Sequence, residues 1–253
     1  MKKIVKNILN FLFPNKRITL RMVHGLYRGI KLNVAIKNQL GIILYPNETD
    51  LQSFLSKNLD PGDTAFDIGS YIGYTSILTS KIVRENGHVY SFEPINENLL
   101  NLERNIKLNK CKNISIVNKA LSNKNGEAEF IIPDNGENLA MSSMVWGEKL
   151  YNTKKQLFKT ISVDDDSKLR HLSPKTIKID AEGAEGLVIE GMQNLISRCR
   201  PYIYIECTNI GREITWSILK SLNYSCFNTK DDKDEILDFT SYRSNEFLWT
   251  PNQ

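Results

Sequence analysis

The chain reads as an α/β protein built on a mostly parallel sheet with helices on both faces, and three observations predict it. From Thr64 onward, short apolar runs alternate with amphipathic stretches, the order that yields strand–helix–strand units. The segment Thr64-Ala-Phe-Asp-Ile-Gly-Ser-Tyr-Ile-Gly-Tyr-Thr-Ser76 ends an apolar run on an acid, turns through glycine and enters a helix. That is the opening unit of a nucleotide-binding fold. Asp67, Glu93, Asn118, Asp180 and Glu206 all fall at or just past strand ends, where open α/β sheets hold their ligands.

The elements follow in order. Residues 1–13 place Ile4, Val5, Ile8, Leu9 and Leu12 on one helical face and Lys2, Lys3 and Lys6 on the other, and Pro14 stops the run. It is too short to span a bilayer and lacks the unbroken apolar core of a signal peptide. Packing on the chain's own domain is the favoured reading; a weak basic anchor on a membrane surface is the other. Ile18–Val23 and Ile30–Val34 alternate with period two around a turn at Arg28-Gly29, predicting a hairpin. Residues 1–45 thus form an N-terminal extension, and 46–253 the main domain.

Asn47 or Thr49 caps a helix that Pro61-Gly62 ends. Strands are expected at Thr64–Ile68, His88–Phe92, Ile114–Asn118, Thr176–Asp180 and Tyr202–Glu206, and a further one at Ala128–Ile132. Helices are expected near Thr75–Val83, Glu97–Leu108, Leu187–Ser197 and Arg212–Leu222. Tyr224–Asn228 and Phe247–Thr250 close the sheet as an antiparallel pair, and Lys230–Glu235 reads as a solvated loop between them. Pro133–Lys159 reads as irregular, its Met141, Ser142, Ser143, Met144 and Trp146 covering the site.

Composition excludes several classes. With 253 residues, 41% hydrophobic and 25% charged, this is an ordinary globular chain of one α/β domain with additions. A net charge of +4 spread along the chain is no nucleic-acid footprint. Cys111, Cys199, Cys207 and Cys226 form no C-x-x-C pair, so zinc is not expected and reduced thiols in the cytoplasm are.

The turn carries the chemistry. Asp67-x-Gly69-x-x-x-Gly73 is not the G-x-G-x-x-G that brings backbone amides against a pyrophosphate. A leading carboxylate repels phosphate but suits a ligand bearing an ammonium group, and S-adenosylmethionine is such a ligand. Glu93 stands about 20 positions past the glycines, where such folds hydrogen-bond a ribose diol. An ordinary β–α connection is the bland alternative for the turn alone.

Ile177-Lys-Ile-Asp-Ala-Glu-Gly-Ala-Glu185 gathers three carboxylates around Gly183. Asp180 and Glu182 are the candidates to orient or deprotonate an acceptor. Glu185 competes with a plain reading, an acid favoured at a helix N-terminus. The [Asn/Asp]-Pro-Pro-aromatic run of base-amine methyltransferases is absent, so a hydroxyl acceptor fits better than a base.

With these residues assembled, the chain resembles the FkbM family of S-adenosylmethionine-dependent methyltransferases over roughly Tyr45–Thr250. The likeness rests on Phe66-Asp-Ile-Gly-Ser-Tyr-Ile-Gly73, Phe92-Glu-Pro94, Asn118-Lys-Ala-Leu-Ser122 with Gly126, Ser162-Val-Asp-Asp165 and Lys178–Glu185. The hairpin near Leu26–Ile30 and the acidic Glu48 also look like family features. The resemblance implies a class I methyltransferase (Rossmann-like) fold with a mostly parallel seven-stranded sheet. It implies cofactor contacts at Asp67, Gly69, Ser70, Gly73, Glu93, Asn118 and Ala120, and O-methyl transfer to saccharides or glycosylated metabolites. One departure is plain: the family usually has Ala-Asn where this chain has Ser70-Tyr71. Two other readings stay open, a non-catalytic cofactor-binding or scaffolding protein and a nicotinamide-dependent oxidoreductase.

Overall fold

The structure, a computed structural model, describes residues 16–37, 39–44, 48–133, 153–240 and 242–252. The expected helix over residues 1–13 and the stretch from Met141 to Trp146 lie outside the described residues. The chain opens with an antiparallel hairpin, β1 (Arg17–Arg21) and β2 (Lys31–Ala35), then α1 (Leu40–Leu44) and α2 (Thr49–Asn58). The residue before α2 is Glu48, whose carboxylate does not cap the helix. β3 (Thr64–Ile68), α3 (Tyr74–Val83), β4 (His88–Phe92), α4 (Asn96–Asn109) and β5 (Ile114–Val117) follow in the order expected. Next come β6 (Ala120–Leu121), β7 (Gly126–Pro133), β8 (Thr153–Ile161), β9 (Thr176–Asp180), α5 (Glu185–Glu190) and α6 (Gln193–Cys199). The last elements are β10 (Tyr202–Glu206), α7 (Asn209–Ser221), β11 (Tyr224–Asn228), β12 (Asp231–Glu235) and β13 (Glu246–Pro251).

Among the described residues the main sheet has the order β12-β11-β13-β10-β9-β3-β4-β5 and eight strands, not seven. The extra one is Asp231–Glu235, which the sequence reading left as a solvated loop. It pairs antiparallel with β11 and its described side chains are exposed. With no buried face it has no apolar alternation to read, and its charges suit a sheet edge. The five strands β5, β4, β3, β9 and β10 run parallel. Being covered on both faces, they read as apolar runs.

A second, three-stranded sheet has the order β6-β8-β7, with Ala128 opposite Phe158. Thr153–Lys159 is therefore strand rather than irregular chain; Lys154, Lys155, Gln156 and Leu157 are all exposed, which erased the pattern. The single helix expected at Leu187–Ser197 is two. At Gly191 the backbone lies against Ser122, so close that a Cβ would sit 2.0 Å from that carbonyl oxygen. The Asp164 carboxylate then caps α6 by accepting from Asn194 N at 2.8 Å and Leu195 N at 3.0 Å. The cap comes from a distant loop.

The core forms on the two sheet faces. One face packs Phe66, Ile177, Ile179, Ile203 and Ile205 against Val188, Met192, Ile196 and Leu219 of the following helices. The other packs Ala65, Val89 and Tyr204 against Phe54, Ile77 and Leu78, together with Leu32 and Val34 of the hairpin. Asn105 of α4 locks the hairpin in place: it accepts from Asn33 N at 2.7 Å and donates to Ile72 O at 2.9 Å. Its side chain is fully buried. Asn105→Ala should therefore lower unfolding stability by about 1–3 kcal/mol, because it strips partners from two backbone groups at once. Urea denaturation of the variant beside the wild type checks this.

Candidate active site

Strand order reverses between β3 and β9, and the crevice over their C-terminal ends is where this architecture binds ligands. Asp67 stands opposite Lys178 in the pairing of these strands, and Glu206 opposite Asp180 in the next pair. The turn after β3 is folded back over its own strand. Gly69 N and Ser70 N each donate to Phe92 O at 3.0 Å, and Ser70 Oγ donates to Asp67 O at 2.8 Å. At Gly69 φ is +75°, and a Cβ would fall 1.8 Å from Asp180 O. Backbone therefore touches backbone across the crevice floor, which only glycine allows. Gly73 ends the turn at the start of α3.

Asp67 is enclosed. It is 2% exposed, Ser76 donates to its Oδ2, and its Oδ1 faces Lys178 Nζ at 3.8 Å. Burial pushes its carboxyl up, and Lys178 and Ser76 oppose that. Lys178, itself 7% exposed, also approaches Gly69 O at 3.2 Å, Ile68 O at 3.5 Å and Asp180 Oδ2 at 3.3 Å. Burial would lower its pKa, but Asp180, Asp67 and Glu48 raise it on balance, so it stays a cation. Sequence reasoning gave Lys178 no role. The signal was there, a lysine inside the apolar run Thr176–Asp180 of a central strand, where such a residue is buried only when paired.

Glu93, just past β4, is 4% exposed. It accepts from Tyr71 N at 2.9 Å through Oε2, and from Ile95 N at 3.0 Å and Asn98 Nδ2 at 3.1 Å through Oε1. Burial outweighs these bonds and pushes its carboxyl up to about 7. Asn118 lies exposed beyond β5. Ala120 is buried with Ile95, Phe130 and Phe158, which leaves its backbone rather than its methyl for a ligand.

Asp180, Glu182 and Glu206 stand at and beyond the ends of β9 and β10. Glu182 is half-buried at φ 48°, and burial with the charges of Asp180, Glu206 and Glu185 pushes it up to about 8. Glu206 lies exposed on the rim, yet the surrounding chain, Asp180 and Glu246 push it up to about 7. Glu185 belongs elsewhere. It is fully buried and accepts from Gly183 N at 2.7 Å and Thr208 Oγ1 at 3.3 Å, tying the loop to α5 and α7. Glu48 also joins the site. It accepts from the hydroxyls of Tyr74 and Tyr27, burial raises its carboxyl, and it feels both Lys178 and Asp180.

The methyltransferase FkbM domain matches residues 67–245. The chain belongs to the FkbM methyltransferase family. An FkbM methyltransferase of Methylobacillus flagellatus is similar in structure at 18% identity and a TM-score of 0.49, over 76% of this chain and 44% of that one. The chain thus spans less than half the length of that relative. A SAM-dependent O-methyltransferase of Thermotoga maritima superposes with a TM-score of 0.51 at 12% identity, over 97% of this chain and 82% of its own. Aeropyrum pernix fibrillarin, solved with natively bound S-adenosyl-L-methionine, follows at 13% identity and 0.45, over 76% and 68%. No curated protein matches the sequence. The fold is that of class I methyltransferases.

This FkbM protein holds Tyr71 in a backbone conformation that suits Asn better. φ is 51°, a left-handed conformation that Asn tolerates and Tyr does not favour. Two bonds offset the cost: Tyr71 N to Glu93, and Gln39 Nε2 donating to Tyr71 Oη at 2.7 Å. The family's cofactor, S-adenosylmethionine, fits the residues present. A carboxylate offers about four acceptor positions and Glu93 uses three, leaving one for a ribose hydroxyl. The glycine turn leaves backbone rather than side chains over the crevice.

Because Glu93 titrates near 7 in the fold and lower when unfolded, the folded state binds the extra proton between about 4.5 and 7. Its contribution is therefore full below that window and lost as pH rises through it. Glu93→Gln should lose less stability than wild type between pH 5 and 7.5, by up to about 3 kcal/mol. Denaturation curves of both proteins at the two pH values measure it.

Proposed function

We propose that this FkbM protein transfers a methyl group from S-adenosylmethionine to a hydroxyl of a saccharide or glycosylated metabolite. The observation that carries the reading is the carboxylate group beyond β9 and β10. Glu206 stands opposite Asp180 at the strand ends, Glu182 feels the charge of both, and burial with those charges pushes Glu182 up to about 8, where a carboxylate is basic enough to take a hydroxyl proton. Bound there, the cofactor supplies a methyl on a sulfonium. The chain's part is alignment: Glu93 and the Gly69–Gly73 backbone hold the ribose and amino-acid ends, with Ser70 closing the turn. Asp180 orients the acceptor hydroxyl and Glu182 receives its proton. Most of the rate comes from that alignment.

The carboxylates also favour an uncharged polyol over a nucleic acid, whose phosphates they repel. Free thiols at Cys111, Cys199, Cys207 and Cys226 accord with a reducing, cytoplasmic compartment. No helix among the described residues is long and apolar enough to cross a membrane. A second reading, binding without transfer, draws on the strained Tyr71 in the cofactor turn.

Methyl-labelled S-adenosylmethionine with a panel of mono- and oligosaccharides separates the two. Label on a sugar hydroxyl supports transfer; cofactor binding without label in any acceptor supports the second reading. On an active acceptor, Asp180→Asn and Glu182→Gln should each lose about 10²–10⁴-fold in turnover while cofactor affinity stays within a few-fold. The wild-type rate should rise with pH through about 8, and Glu182→Gln should lack that limb.

A further inference from the structure

Lys178 is the buried charge that neither the cofactor assignment nor the acceptor assignment uses. Its ammonium has three N–H donors and meets acceptors from three places: the carbonyls of Ile68 and Gly69, the carboxylate of Asp180, and, farther off, Asp67 Oδ1. Asp67 Oδ1 has no hydrogen-bond donor, so Lys178 is the cation that answers its charge. These partners belong to opposite sides of the crevice. Ile68 and Gly69 open the cofactor turn, and Asp180 opens the acceptor loop.

We propose that Lys178 is a positioning residue that holds the cofactor turn and the acceptor carboxylate at a fixed distance from one another. It rests on the cofactor reading given above and does not depend on which hydroxyl is methylated. Stability does not require this arrangement. A buried ion pair replaced by neutral groups of similar volume is often as stable or more so, whereas removal of one partner costs heavily. An apolar residue at 178 beside a neutral one at 67 would satisfy the sheet, as Ile177 and Ile179 do. What such a pair cannot do is tether Gly69 O to Asp180 Oδ2. The contact of Gly69 with Asp180 O brings the two loops together, and Lys178 sets their relative orientation.

Six carboxyls surround the ammonium: Asp67 on β3, Asp180 at the end of β9, Glu48 before α2, Glu93 after β4, Glu182 in the acceptor loop and Glu206 on β10. The phenols of Tyr27 and Tyr74 lie near the same carboxylates, and burial raises both beyond ordinary titration. Asp67 is the most enclosed of the carboxyls, so loss of the ammonium leads it to take a proton.

The test uses the full chain, S-adenosylmethionine as probe, and four proteins: wild type, Asp67→Asn, Lys178→Met and Asp67→Asn/Lys178→Met. Melting temperature, calorimetric affinity and the infrared band of protonated carboxyls are read for each. Lys178→Met should melt lower, bind about 10-fold or more weakly and gain a protonated-carboxyl band at pH 7. The double variant should regain the melting temperature and lose the added band, yet bind about 10-fold more weakly than Asp67→Asn, because the tether is not restored. Recovery of affinity along with stability would reduce Lys178 to charge balance and overturn the proposal, as would wild-type affinity in Lys178→Met. If Lys178→Met does not fold, the double variant carries the comparison. Failure of the double variant to fold contradicts the neutral-pair premise and also overturns it. Absence of binding by the wild type would instead sink the cofactor reading itself.

Discussion

Two loops meet at the centre of this molecule, and the meeting allows little tolerance. The turn after β3 and the loop after β9 approach until Gly69 has no room for a Cβ beside Asp180 O, and a buried lysine lies beneath the contact with carboxylates on both sides. A cation and two anions drawn into a sheet interior are costly unless every charge is answered. The surrounding structure answers them. Ser76 donates to Asp67, Ser91 donates to Ser76 at 2.8 Å, and the hydroxyls of Tyr27 and Tyr74 donate to Glu48. Of the polar residues on the buried face of α3, Ser76 is the one that serves this charge.

The N-terminal hairpin takes part in the same construction. Asn105 joins β2 to Ile72 in the cofactor turn, and Gln39 joins Ala35 N and Arg17 Nη2 to the Tyr71 hydroxyl. Tyr71 N then binds Glu93. A path of hydrogen bonds thus runs from the hairpin through the turn to Glu93. It also explains how a tyrosine persists at a left-handed position: its ring is half-buried and its hydroxyl is held, so contacts elsewhere offset the backbone cost.

How far the sequence carried depended on where each residue's partners lie. β3, β4, β9 and β10 were readable because strands buried on both faces are apolar from end to end and stop on polar residues. β12 and the first half of β8 were not, since exposed stretches of strand carry no alternation. The break between α5 and α6 was hidden because its cap, Asp164, stands some thirty residues before the helix it serves. At the site, the rim positions of Glu93, Asp180 and Glu206 followed from strand ends alone. The enclosure of Asp67 did not, because it depends on Lys178 from a strand more than a hundred residues later. Glu185 shows the opposite limit: an acid within a signature looks chemical until Gly183 and Thr208 are seen to occupy it.

The charge pattern divides the crevice into two halves. Below the cofactor turn the charges are matched, Lys178 against Asp67 and Asp180. Beyond β9 and β10 they are not: burial and the charge of Asp180 lift Glu182 to about 8 and Glu206 to about 7. Carboxyls so crowded share protons rather than each holding a full charge. Such a group takes up a proton readily, because the proton relieves the repulsion between its like charges. A sulfonium brought close by would draw protons off the group before transfer, since a nearby cation favours the ionised carboxylate. Matched charges thus lie under the turn after β3, while unmatched ones leave the loop after β9 able to change its protonation, and Lys178 lies on the boundary between them.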